Sequence, residues 1–148
     1  MMKEEFLHGG IPLFYWFYYI VTNRPYTDAW LDEGLTEFTT ALYLTEKYNE
    51  SRAFSFSNHF LEYNETSNIV NGSIDYLGNY YVPTVYGRSP MKMWEFFEEK
   101  GTKEALAFMS EYYQDHRFEK VTTKEFAQYF EDYFEGEQSE FLSSWLDY

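Results

Sequence analysis

The chain has 148 residues, with 11 Lys+Arg against 25 Asp+Glu, a net charge of −14 and no cysteine. Without cysteine there is no disulfide scaffold, thiolate nucleophile or Cys-ligated zinc, and so acidic a chain has no basic surface to displace counterions from nucleic acid or to seek anionic lipid. With 16 Tyr and 15 Phe, it has too much ring surface for disorder and enough length to bury a core as one domain over residues 1–148.

In chain order, residues 11–21 come first, rich in rings (Phe14, Tyr15, Trp16, Phe17, Tyr18, Tyr19) and interrupted by Pro12. The stretch is too short to span a bilayer and reads as a buried core helix, so no membrane insertion is expected. Asp28 suits the N-cap of a helix running to about Tyr48, with Leu31, Leu35, Phe38 and Leu42 as its apolar stripe. A second helix is expected over residues 51–63. Residues 64–85, rich in Asn, Gly, Ser and Tyr, read as a long loop. Ser89-Pro90 offers a cap and a first-turn proline for a helix to about Lys100. Gly101-Thr102 separates that helix from one carrying Leu106, Met109 and Tyr113. Thr122-Thr123-Lys124-Glu125 is a capping box, and the helix behind it presents Phe126, Tyr129, Phe130 and Tyr133. A last amphipathic helix holds Phe141, Leu142, Trp145 and Leu146. The fold class is mainly α, with six or seven helices. Three N-x-S/T sequons, at Asn49, Asn64 and Asn71, are expected by chance.

Asp32, Glu33 and Glu37 crowd the start of the Asp28 helix, and no Lys or Arg follows before Lys47. Glu33 and Glu37 share a face and repel. The helix N-terminus welcomes part of that charge, and the remainder calls for a cation nearby. His59, beside Phe56 and Phe60, reads as a satisfied core histidine, and His116 as a surface residue of a loop. Glu37 reads as a surface carboxylate and Tyr86 as a core ring with a hydrogen-bonded hydroxyl.

The run Trp30, Leu31, Asp32, Glu33, Gly34, Leu35 resembles the W-L-[ND]-E-G-[FL] segment of the aminopeptidase N family of gluzincin metallopeptidases. Upstream, Trp16-Phe17, Val21-Thr22, Asp28 and Trp30 are similar in spacing to the family's W-F-G-N-x-V-T…D-x-W run. Downstream, Tyr86-Gly87-Arg88-Ser89-Pro90 looks like its Y-x-[KR]-G-[AP] segment. Phe118, residues 121–126 and residues 141–146 are similar to its closing helices. The resemblance implies the helical C-terminal half of a thermolysin-like catalytic domain, with Glu33 as a zinc ligand and Tyr86 as hydrogen-bond donor to the tetrahedral intermediate.

The family's HExxH helix supplies two histidine ligands that leave one zinc position for water, with a glutamate between them as general base. Counted without gaps from Glu33, that slot falls on Gly10, Ile11, Pro12, Leu13 and Phe14, which contain neither histidine. A shifted alignment uses Glu4-Glu5-Phe6-Leu7-His8, keeping Glu5 as base and His8 as ligand, with Glu4 as an oxygen donor in place of the first histidine. The β-rich half-domain and the G-A-M-E-N segment have no counterpart in the sequence. The resemblance therefore implies a truncated or degenerate zinc peptidase, weak or inert in isolation, acting on a peptide substrate. The alternative is a non-enzymatic helical module that binds a protein or peptide through residues 64–85 and exposed tyrosines. Exposed apolar surface would also favour a homo-dimer.

Overall fold

A computed structural model describes residues 20–48, 54–63, 65–136 and 138–148. The residues 1–19 stretch, which includes Glu5, His8 and nearly all of the expected first helix, lies outside the described residues. Among those described, the chain is a single mainly helical domain with no strand. Its elements in order are a 3-10 turn Ala29–Leu31, α1 (Glu33–Tyr48), α2 (Ser55–Tyr63), α3 (Ile74–Leu77), a 3-10 turn Gly78–Tyr80, a π-helical segment Pro83–Arg88, α4 (Ser89–Phe97), α5 (Thr102–Asp115), α6 (Thr123–Tyr133) and α7 (Ser139–Ser143). Backbone hydrogen bonds of Thr22 with Glu119 and Val121, and from Phe118 to Ile20, tie the α5–α6 connection to the chain preceding the first turn.

The expected stripe is buried, Leu31 in the 3-10 turn and Leu35, Phe38 and Leu42 in α1. Burial of this kind is worth about 1.5–3 kcal/mol for each large apolar side chain. Phe38 stacks on Phe97 of α4 at 5.9 Å between ring centroids, and Phe97 continues to Phe108 of α5 at 5.7 Å. Phe108 meets Phe126 and Phe130 of α6 edge-on, a geometry that places ring edges on ring faces. Trp30 closes the far end of this core, edge-on to Phe126 and to Trp145. The capping box is present in both directions: Thr122 Oγ1 accepts from the Glu125 N–H, and the Glu125 carboxylate accepts from the Thr122 N–H.

Three boundary expectations are corrected. Asp28 does not cap its own helix. Its Oδ1 accepts from the backbone N–H and hydroxyl of Thr123, at 3.1 and 2.5 Å, and so caps α6 from across the core. The intervening chain winds as a 3-10 turn before α1 begins at Glu33. The second correction concerns residues 64–85, which are a loop only at the start: Ser73 caps α3, and helical backbone runs on through the π segment. Third, Ser89-Pro90 is not a helix start. Helical backbone passes through it unbroken from Tyr81 to Phe97. Pro90 has no N–H to return to the Tyr86 carbonyl. The helix absorbs this by widening, with the Ser89 N–H reaching back five residues to the Thr84 carbonyl. The helix ends at Phe97 rather than near Lys100.

Candidate functional site

The site forms where α1 crosses the π segment. Gly34 makes the crossing possible: a Cβ there would lie 1.8 Å from Ser89 Oγ and 3.0 Å from the Val85 carbonyl oxygen. Gly87, on the other side of the same segment, leaves room for Phe60 and the Ser57 carbonyl of α2, each 3.1 Å from the position of a Cβ. Both glycines are thus points of close helix approach. The Ser89 hydroxyl donates to the Val85 carbonyl at 2.6 Å, which fixes its oxygen against the bare Cα of Gly34.

This crossing brings Glu33 and Tyr86 together. Tyr86 lies close enough to Glu33 across it to feel that carboxylate's charge. Burial, then Glu33, raise the Tyr86 pKa far above its ordinary value, so Tyr86 is a neutral hydrogen-bond donor throughout the physiological range. Its ring sits edge-on to Tyr81 at 6.4 Å and tilted against Phe60 at 6.5 Å. Tyr81 feels the same acids: burial, then Glu33 and Asp32, raise its pKa.

Asp32 and Glu37 flank Glu33 and are half-buried with it. Burial pushes Asp32 up to about 7, with the neighbouring Glu33 charge adding to the rise and the Asn23 amide opposing it. Glu37 is also raised, by burial and then by Glu33, so it is not the fully solvated carboxylate expected. Among the described residues, no Lys or Arg forms an ion pair with these three acids; the ion pair present is Lys92–Glu95. Asn23 and Tyr112, both buried, were not singled out by sequence. Among the described residues the Tyr112 hydroxyl has no hydrogen-bond partner, and burial, then the Asp32 charge, raise its pKa. No local motif marks these residues, because they reach the acids from different elements.

The remaining candidates fall away from this cluster. His59 is exposed, edge-on to Tyr63, rather than in the core. His116 is half-buried rather than a loop surface residue: at the C-terminus of α5 its Nδ1 donates to the Tyr112 carbonyl at 2.9 Å, and its ring packs on Tyr129. Arg88 turns to the C-terminal segment, where Nη2 donates to the Ser144 carbonyl.

Glu33 offers one oxygen donor, and among the described residues no group of three His, Asp or Glu side chains is arranged to hold a metal ion. The described residues therefore do not by themselves fit a zinc centre. Glu5 and His8, the other two residues the resemblance assigns, lie outside them. Compared with known proteins, the chain matches no family model, no curated protein and no solved structure.

Proposed function

We propose that the chain is a zinc-aminopeptidase-like domain of partial or degenerate type, hydrolytically weak or inert in isolation. Glu33 stands at the metal-ligand position and Tyr86 at the position of the donor to a tetrahedral intermediate. Glu5 and His8 are the base and second ligand. What supports this reading is one observation: Glu33 and Tyr86, singled out by separate sequence motifs, come near each other at the α1 crossing, where the Glu33 charge helps raise the Tyr86 pKa. Burial first, and then the charge of Glu33, oppose ionisation of the Tyr86 hydroxyl. Tyr86 therefore acts by donating a hydrogen bond and not as a base.

Calorimetric titration of metal-stripped protein with zinc, beside Glu33→Ala, tests the proposal. Stoichiometric binding tighter than micromolar and lost in the variant supports it, and chelator-sensitive peptide hydrolysis lost in Glu33→Gln would extend it. Binding unchanged by the substitution, or none at all, overturns the assignment of Glu33. A second reading then applies, a protein- or peptide-binding module. It is favoured by the exposed side chains of Tyr26, Ile74, Tyr76, Tyr80 and Val82 around α3. Tyrosine gives large contact area at low entropic cost.

A further inference from the structure

The Asn71-Gly72 pair sits where side-chain and backbone groups together grip the C-terminal segment. Asn71 Nδ2 donates to the Asp147 carbonyl at 2.6 Å, and its Oδ1 accepts from the Asp147 N–H at 3.0 Å. One residue earlier, the Val70 N–H donates to the Trp145 carbonyl at 2.9 Å. Gly72 is fixed by packing: a Cβ there would lie 3.0 Å from the Tyr76 ring and 3.1 Å from Leu77 Cδ2. The Gly72 N–H donates to the Ile69 carbonyl.

An asparagine followed by glycine is chemically the most exposed amide in a chain, since no side chain hinders the next backbone nitrogen from reaching its Cγ. Here both reacting groups are engaged, the carboxamide by Asp147 and the nitrogen by Ile69. We propose that Asn71 is a deamidation site gated by docking of the C-terminal segment, and that the reaction converts the docked form into a released one. In the undocked state the Gly72 nitrogen attacks Asn71 Cγ, forming a C–N bond. The Cγ–Nδ2 bond breaks, and ammonia leaves with the proton lost from Gly72. Water then opens the succinimide at either carbonyl, leaving aspartate or isoaspartate, with no change of oxidation state.

The products cannot restore the clamp. Aspartate puts a carboxylate oxygen where Nδ2 donated, facing the Asp147 carbonyl. Isoaspartate lengthens the backbone by one carbon and drives Gly72 out of the space beside Tyr76 and Leu77. The segment released carries Trp145, which packs edge-on against Trp30 at 5.2 Å, two residues before Asp32. Deamidation at Asn71 thereby loosens a support of the α1 entrance.

The test incubates full-length protein at mildly alkaline pH and maps aspartate and isoaspartate at residue 71 by peptide mass spectrometry. Native parent, parent unfolded in guanidinium, and Asp147→Pro (which removes the N–H held by Asn71) are compared. Native Asn71 should react at least about tenfold more slowly than in the unfolded chain, because only the locally opened fraction is reactive. Asp147→Pro should raise the native rate severalfold. Asn71→Asp should speed carboxypeptidase trimming of the last residues while helical circular dichroism is retained. Equal rates in native and unfolded parent, no product at residue 71 in the unfolded chain, or unchanged trimming of Asn71→Asp would each overturn the proposal. The native-to-unfolded comparison stands even if Asp147→Pro fails to fold.

Discussion

Asp32 shows how a single side chain can be placed against its own chemistry. Its carboxyl is taken out of water beside a second carboxylate, and its pKa rises from 3.8 to about 7. Between those values the folded chain binds more protons at this group than the unfolded chain does. The free energy of unfolding therefore falls as pH rises through that window and levels off above it. Asp32→Asn keeps the shape and removes the charge. It should be more stable than the parent at about pH 8 by about 2 kcal/mol, a figure halved to allow for solvent screening of a partly exposed group. The two proteins should converge below about pH 3, where Asp32 is protonated in both the folded and the unfolded chain. Urea denaturation across the pH range measures this, and a stability difference that does not vary with pH would sink the attribution. Sequence displayed the crowding of Asp32, Glu33 and Glu37 but could not show that all three are half-buried, because the residues around them, Asn23, Tyr81, Tyr86 and Tyr112 included, come from other elements.

At the scale of elements, the crossing of α1 over that segment rests on Gly34. Gly34→Ala places a methyl group 1.8 Å from Ser89 Oγ and should destabilise the protein by about 1–3 kcal/mol, the usual cost of forced overpacking. Ser89→Gly in the same chain removes the colliding atoms. The double variant should recover much of that loss, leaving the tight approach to the Val85 carbonyl as residual strain. The coupling is read as a double-mutant cycle of urea midpoints, and strict additivity would show that the two positions do not meet. Helix interiors and caps were legible because their causes are local: the apolar stripe of α1 repeats at helical spacing, and Thr122 and Glu125 satisfy each other within one turn. Boundaries were legible only where no partner intervened. Asp28 was assigned to the nearest helix, but its carboxylate is drawn to Thr123, which lies 95 residues away in sequence. Ser89-Pro90 reads as a start because proline cannot accept the ordinary helical bond pattern. Only packing between α1 and α2 on two glycines favours the widened helix that accommodates it.

Across the whole molecule, charge and ring content pull in opposite directions. A net charge of −14 repels itself in the compact state, and among the described residues Lys92–Glu95 is the ion pair present. Screening should therefore stabilise the fold. The Tm, followed by circular dichroism, should rise between about 0.01 and 0.15 M sodium chloride as the Debye length falls from about 30 to 8 Å. A falling Tm would mean that unseen attractive pairs dominate. The rings supply the opposing cohesion through the continuous aromatic path from Phe38 to Phe130. At this scale the sequence resemblance picked out Glu33 and Tyr86, and the fold sets Tyr86 within the electrostatic influence of Glu33. It gave no hint of Asn23, Tyr81 or Tyr112, which belong to no motif.

What the sequence alone determined is the helical class, the exclusion of cysteine chemistry, the buried face of α1 and the capping box. Each follows from composition or from spacing within a few turns. The tertiary structure alone decided which acids are desolvated, which helix Asp28 caps, where the helix around Pro90 begins, and that Glu33 meets Tyr86. Those outcomes depend on elements far apart in the chain excluding water from, and donating hydrogen bonds to, one another, and no local pattern of residues encodes that.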